Sequence, residues 1–306
     1  KQLSKHSAVT NCIAFFNRCS EECIEPLDAI EQISHSSDNL NSYLQSSALE
    51  EDNLIKAYTL YQAYRDSLVQ SGKLRSTDFS LLQREAYRVL IEREETGQVF
   101  KHVIIDEYQD TNTIQEKIFF RLAKSHKNIC VVGDDDQALY RFRGATVENF
   151  VDFPTRCQKY LGTDPRRISL STNYRSRKKI VEFYTTFMDQ ADWRRNSGDG
   201  GFYRVMDKDI RAKNPDENLS IVASTPGTPE QVCAEIAQLV KNLIDQGKVE
   251  DPNQIAFLYP SLKSSAVEAM RKALENLGLK VYAPRAGRFL EVDESYVVFG
   301  LFALIL

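Results

Sequence analysis

Val103-Ile104-Ile105-Asp106-Glu107-Tyr108-Gln109-Asp110 is a β-branched run that ends in two adjacent carboxylates. Three β-branched residues in a row favour an extended chain, and an unbroken apolar run suits a strand buried in a parallel sheet. The C-terminal tip of such a strand is where open α/β sheets bind ligands. Two acids there suit nucleotide hydrolysis: Asp106 can hold Mg2+ through water, and Glu107 can orient or activate the attacking water. A strand followed by a solvated acidic turn is the plain structural alternative.

Downstream, Ile114 to Leu122 has helical spacing, and Ile129-Cys130-Val131-Val132 reads as the next strand. Strand, crossover helix and strand make a parallel α/β unit. The second strand runs into Gly133-Asp134-Asp135-Asp136-Gln137-Ala138-Leu139-Tyr140-Arg141-Phe142-Arg143-Gly144-Ala145. Aromatic faces alternating with guanidinium groups can stack on bases and reach phosphates, which holds a single strand without reading its sequence. Equally, Tyr140 and Phe142 could be core residues and the arginines counter-charges for the acids. A third β-type run, Ile168-Ser169-Leu170, precedes Ser171-Thr172-Asn173-Tyr174-Arg175-Ser176-Arg177-Lys178-Lys179. There Tyr174 can stack on a nucleobase and Arg175 can bring charge to a transferring phosphate.

Upstream, residues 1–95 contain no run that reads as a strand. Leu54, Ala57, Tyr58, Tyr61, Tyr64 and Leu68 recur at helical spacing, and the polar stretch 34–53 reads as a connection. Beyond residue 215 a second α/β pattern begins. Residues 219–223, 255–259 and 280–282 read as strands, and Thr228-Pro229-Glu230-Gln231 opens a helix with a capping threonine and proline at its first position. Residues 266–277 form a further helix that ends at Gly278.

The 306 residues, 42% hydrophobic and 27% charged, can bury more than one core. A net charge of −4 gives no global attraction to nucleic acid, so any such site must be a local cluster. The six cysteines form no CxxC pair, which argues against zinc and for reduced thiols in a cytosolic protein; Cys12, Cys19 and Cys23 are spaced as one helix face. No apolar run reaches membrane-spanning length. The chain opens without methionine and stops in the apolar run 297–306, as expected of a piece of a longer protein.

Together, the strings around Asp106, Gln137 and Arg175 resemble motifs II, III and IV of the superfamily 1 UvrD/Rep-type DNA helicases, in order. Asp78-Phe79-Ser80-Leu81-Leu82 upstream, and Gln254 to Tyr259 and Gly287-Arg288-Phe289-Leu290 downstream, extend the likeness over nearly the whole chain. The resemblance implies an α/β fold of RecA-like P-loop NTPase motor domains, parallel sheets with flanking helices, preceded by a helical segment. It divides the chain into a helical segment (1–95), the C-terminal half of a first RecA-like domain (96–165) and the first part of a second (166–306). It implies ATP and Mg2+ as cofactors, and single-stranded DNA and single-strand/duplex junctions as partners, with repair or replication proteins beside them. A cytoplasmic location, nucleoid-associated in a bacterium, follows.

Residue by residue, the resemblance makes Asp106 the Mg2+ ligand and Glu107 the catalytic base. Gln137 contacts the γ-phosphate and couples it to DNA. Tyr174 stacks on adenine, and Arg175 reaches the γ-phosphate from the other lobe. Tyr140, Phe142 and Arg143 lie along the DNA strand, with Phe142 where the family often has tryptophan.

No G-x-x-x-x-G-K-[ST] phosphate loop occurs in the 306 residues, so they are expected to hydrolyse little ATP by themselves. Other readings are the motor portion of a helicase-nuclease subunit, a degenerate module that only binds DNA or protein, and a metal-dependent nuclease using Asp106, Glu107, Asp134, Asp135 and Asp136 as ligands.

Overall fold

The computed structural model describes residues 4–35, 51–70, 73–74, 76–141, 144–195, 200–282 and 297–302. Its contacts divide the chain into two compact units, 1–216 and 217–306. The sequence reading starts the second lobe near residue 166, whereas by contacts residues 166–216 group with the first unit.

The first unit opens with helices α1 (Lys5–Glu21), α2 (Pro26–His35) and α3 (Glu51–Ser67). Ser4 caps α1 by accepting from the Ser7 backbone N–H. Phe16 stacks on Tyr61 and Tyr64, and the buried Ser20 and Tyr61 hydroxyls hydrogen-bond at 2.6 Å. A two-residue hairpin, β1 (Val69–Gln70) with β2 (Lys73–Leu74), interrupts a region expected to hold no strand. Helix α4 (Phe79–Glu92), capped by Asp78, and the short α5 (Glu94–Gly97) follow. Cys12 and Cys19 lie in α1; Cys23 falls beyond its end at φ 60°, off the expected helix face.

The α/β part follows the expected order. Strand β3 (Val103–Ile105), helix α6 (Thr113–Ala123) and strand β4 (Ile129–Val131) form a parallel crossover, with Val103 opposite Ile129 and Ile105 opposite Val131. A reciprocal capping box between Asn112 and Gln115 starts α6. The ladder runs past the strand ends, as Val132 N–H donates to Ile105 O and Tyr108 N–H to Val132 O. Helices α7 (Glu148–Val151) and α8 (Phe153–Leu161) close the core of Val103, Ile105, Tyr108, Phe120, Ala123, Phe153, Cys157 and Leu161. Val103 and Ile105 of β3 are buried but Ile104 is 73% exposed, so among the described residues the expectation of a strand buried on both sides holds for alternate residues only.

Strand β5 (Thr172–Arg177) pairs in parallel with β6 (Arg211–Asn214) around helix α9 (Lys178–Asp189). The expected strand at 168–170 does not form. Ile168 and Leu170 are exposed, and pairing to β6 begins only where Arg211 N–H meets Ser171 O.

In the second unit, α10 (Pro229–Asp245) starts with the expected Thr228/Gln231 capping box, and α11 (Ser265–Asn276) ends before Gly278 at φ 76°. Their core is Cys233, Ala237, Val240, Met270 and Leu274. Among the described residues, the expected strands at 219–223, 255–259 and 280–282 form no strand pairing. Ile255, Phe257 and Tyr259 nevertheless pack on the helices while Leu258 points out, which is the alternation of a strand without its hydrogen-bonded neighbour. No described helix is long and apolar enough to cross a membrane.

Glu116 on α6 is fully buried, 3.5 Å from the Tyr108 hydroxyl and 3.4 Å from the Arg156 guanidinium. Burial pushes its carboxyl up to about 7 against the opposing pull of Arg156. Because this value lies above the ordinary 4.5, the associated stability is complete below pH 4.5 and is lost as pH rises through 7. Glu116→Gln should therefore flatten the pH dependence of the urea midpoint and gain about 1–3 kcal/mol at pH 8. An unchanged pH profile would count against this assignment.

Candidate active site

The tip of β3 turns sharply. Glu107 sits in the left-handed region at φ 50° and ψ 42°, a conformation that costs a non-glycine residue energy and collects at functional sites. The turn leaves Asp106 and Glu107 exposed and sends Tyr108 and Gln109 inward, where both are buried. Asp106 Oδ1 accepts from the Glu107 backbone N–H at 2.9 Å.

Parallel pairing of β3 with β4 brings the second tip alongside. Gln109 Nε2 donates to Glu107 Oε2 (2.7 Å), and Gln109 Oε1 accepts from the Asp134 backbone N–H (3.1 Å). Gln137 Nε2 in turn donates to Asp134 Oδ2 (2.9 Å). Glu107 and Gln137 thus lie on one hydrogen-bonded chain. Gly133 makes room for it, since a Cβ there would overlap Gln109 Oε1 and press on Phe150.

The acids after β4 are held from the 204–208 segment. Lys208 Nζ lies 2.9, 2.6 and 3.1 Å from carboxylate oxygens of Asp134, Asp135 and Asp136. Arg204 makes a two-pronged contact with Asp136 (2.7 and 3.1 Å) and a third bond to Asp189, and Val205 N–H donates to Asp135. Bonding to Asp136 raises the Arg204 pKa against its burial. For Asp134, burial pushes the carboxyl up, but the bonds from Gln137 and Lys208 outweigh it and the net shift is downward. Burial likewise opposes Lys208, and its bonds to Asp135 and Asp134 prevail, so its pKa is raised. The ammonium thus lies among the three carboxylates after β4 that the nuclease reading made metal ligands.

The three residues expected to lie along DNA are only partly described. Tyr140 is 42% exposed, whereas Phe142 and Arg143 lie outside the described residues. Arg141 packs over the Tyr203 ring and pairs with Glu148 at 3.7 Å. Helix α1 meets this loop through Arg18 Nη1, which donates to Gly144 O at 3.3 Å.

On β5, Asn173 Oδ1 accepts from the backbone N–H of Arg175 (3.0 Å) and Ser176 (2.8 Å), making an irregularity in the register against β6. Tyr174 (77% exposed) and Arg175 project from it into solvent. Among the described residues, no hydrogen bond or ion pair joins either of them to the Glu107–Gln137 chain.

Sequence reasoning missed three participants. Gln109 stood inside the quoted motif without a role. Arg204 and Lys208 lie some 70 residues from the acids and carry no motif; the only signal was that three adjacent acids need counter-charge.

From the pKa directions, the Lys208 cluster loses stability only as pH falls through the depressed Asp134 value, below 3.8, or rises through the elevated Lys208 value, above 10.5. It is intact at neutrality. Lys208→Met should then cost about 3 kcal/mol at pH 7, because it takes the cation from the buried Asp135 carboxylate. A urea midpoint equal to that of the parent would refute the pairing.

The UvrD/REP helicase N-terminal domain model matches residues 1–158, and the UvrD-like helicase C-terminal domain model matches residues 168–305. The chain is 36% identical over 130 residues to the putative ATP-dependent DNA helicase YjcD of Bacillus subtilis, covering 41% of this chain and 16% of that protein. It is 26% identical over 280 residues to an ATP-dependent helicase/nuclease subunit of Exiguobacterium sibiricum, covering 81% of this chain and 23% of the relative. To the ATP-dependent DNA helicase PcrA of Staphylococcus epidermidis it is 36% identical over 124 residues, 40% of this chain and 16% of PcrA. The matched stretch thus spans 16–23% of these curated relatives' own length. With the strand-tip acids in place and the N-terminal domain model covering over half of its residues, the chain belongs to the UvrD/REP helicase family.

Proposed function

We propose that the chain is part of an ATP-dependent DNA helicase or translocase motor that couples ATP hydrolysis to movement on single-stranded DNA and to duplex unwinding, in DNA repair or replication. The observation that carries this reading is the hydrogen-bonded chain from Glu107 through Gln109 and the backbone N–H and carboxylate of Asp134 to Gln137. It links an acid suited to activating water with the loop that runs on to Tyr140. The names of the relatives support it.

In this reading the fold is RecA-like, with a helical segment at 1–95, the C-terminal half of one motor domain at 96–165 and the first part of a second at 166–306. Asp106 fits a Mg2+ ligand: it is exposed at a strand tip, offers hard oxygens, and has one oxygen oriented by the Glu107 N–H. When bound, the ion neutralises charge on phosphate oxygens. Glu107 takes the proton of the attacking water, and Gln137 contacts the γ-phosphate. Tyr174 stacks on adenine and Arg175 brings positive charge to the γ-phosphate; their exposure leaves both faces open to a nucleotide. Tyr140, Phe142 and Arg143 hold the DNA strand or a single-strand/duplex junction, with travel 3′ to 5′ in the cytoplasm.

A second reading, the motor portion of a helicase-nuclease subunit, is favoured by the match to the Exiguobacterium helicase/nuclease protein over 81% of this chain. Nuclease activity in the full-length protein, abolished by changes outside these residues, would select it.

Because these 306 residues contain no G-x-x-x-x-G-K-[ST] loop, they should turn over negligible ATP alone. A DNA-stimulated rate in this chain that Glu107→Gln abolishes would overturn that. Binding of a labelled single-stranded oligonucleotide should be weak and fall steeply with salt. Replacing Tyr140, Phe142 and Arg143 together by alanine should weaken it further, by about 1–3 kcal/mol per unstacked base. Equal affinity in the triple variant would exclude this surface.

A further inference from the structure

Gln109 is 1% exposed, yet neither end of its amide serves the core. Nε2 is spent on Glu107 and Oε1 on the Asp134 backbone N–H. Its neighbour Tyr108 turns the other way, into the cluster with Phe120 and Phe153, so the strand tip separates a packing residue from one that serves the site. The close approach of Gly133 preserves this arrangement, because any side chain there would displace Gln109 Oε1.

We infer that Gln109 is a positioning residue for Glu107, tying its carboxylate to the backbone of the loop after β4. The inference rests on the role proposed above for Glu107. The chemistry suits the task. A carboxylate that must accept a proton from water has to be aimed, but a cationic partner would stabilise its charge and lower its basicity. A neutral amide N–H directs Oε2 with a smaller effect of that kind and leaves Oε1 for water. Glu107 needs such a tether because its backbone is held in the left-handed conformation and its side chain faces solvent. The other end of the amide is fixed to a backbone N–H rather than to a mobile side chain, so the aim follows the position of the 133–137 loop. Since Asp134 also holds Gln137, movement of that loop shifts Glu107 and Gln137 together.

The test uses the full-length protein that carries these residues. Gln109→Met keeps length and burial but removes both hydrogen bonds. Gln109→Asn keeps the amide but is one methylene too short to reach both partners. Both should lower kcat for DNA-stimulated ATP hydrolysis by about 10- to 100-fold, the scale of a displaced catalytic group, with KM for ATP within about twofold. In both, the Asp134 amide should exchange with solvent at least about tenfold faster without nucleotide, while the melting temperature stays within a few degrees. Wild-type kcat in either variant, or unchanged Asp134 exchange in Gln109→Met, overturns the inference. Glu107→Gln is the control for the underlying reading: if it leaves ATP turnover intact, the proposed function fails; if it abolishes turnover while Gln109→Met does not, only the positioning role fails.

Discussion

Everything at the candidate site depends on the parallel pairing of β3 with β4. Backbone hydrogen bonds set Ile105 opposite Val131 and continue through Val132 to Tyr108, so two loops some 25 residues apart in sequence leave the sheet side by side. A parallel pair requires a crossover, and α6 supplies it while covering one face of the pair with Phe120 and Ala123. A slip of one residue would exchange Val103 and Ile105 for the exposed Ile104 and would separate Gln109 from Asp134. Packing and site geometry therefore share one register.

Around that pairing the charges are arranged by burial. The acids after β4 would repel one another if left alone, and the 204–208 segment answers with one ammonium and one guanidinium, both shielded from solvent. Arg204 holds Asp136, and Lys208 holds Asp134, the residue whose backbone meets Gln109 and whose side chain meets Gln137. The same device appears in the helical part, where Arg84 pairs with Glu25 and donates to Ile24 O. In both places a cation distant in sequence fixes a turn that has little apolar surface of its own.

The second unit shows the converse. Helices α10 and α11 close a small apolar core because each has one apolar face, and Ile255, Phe257 and Tyr259 add to it in alternation. That segment keeps strand-like sidedness with no strand pairing, and Leu219, Ile221 and Val222 remain exposed. Apolar pattern produces sidedness, whereas a strand needs a neighbour's N–H and C=O groups.

Local chemistry was readable from the residues themselves. The short apolar runs at 103–105 and 129–131, the cap at Thr228 and the helical spacing at 114–122 depend on side chains within a few positions of each other, so sequence alone determined them, along with the acids at the strand tip. Tertiary structure decided what depends on partners far along the chain. It shifted the third strand from 168–170 to 172–177, because pairing with β6 is what makes it a strand. It left the second unit's expected strands unpaired, and it brought Lys208 to the acids and Gln109 between Glu107 and Asp134. A hydrogen bond or ion pair between distant residues leaves no periodicity in either segment, so only the folded chain reveals it.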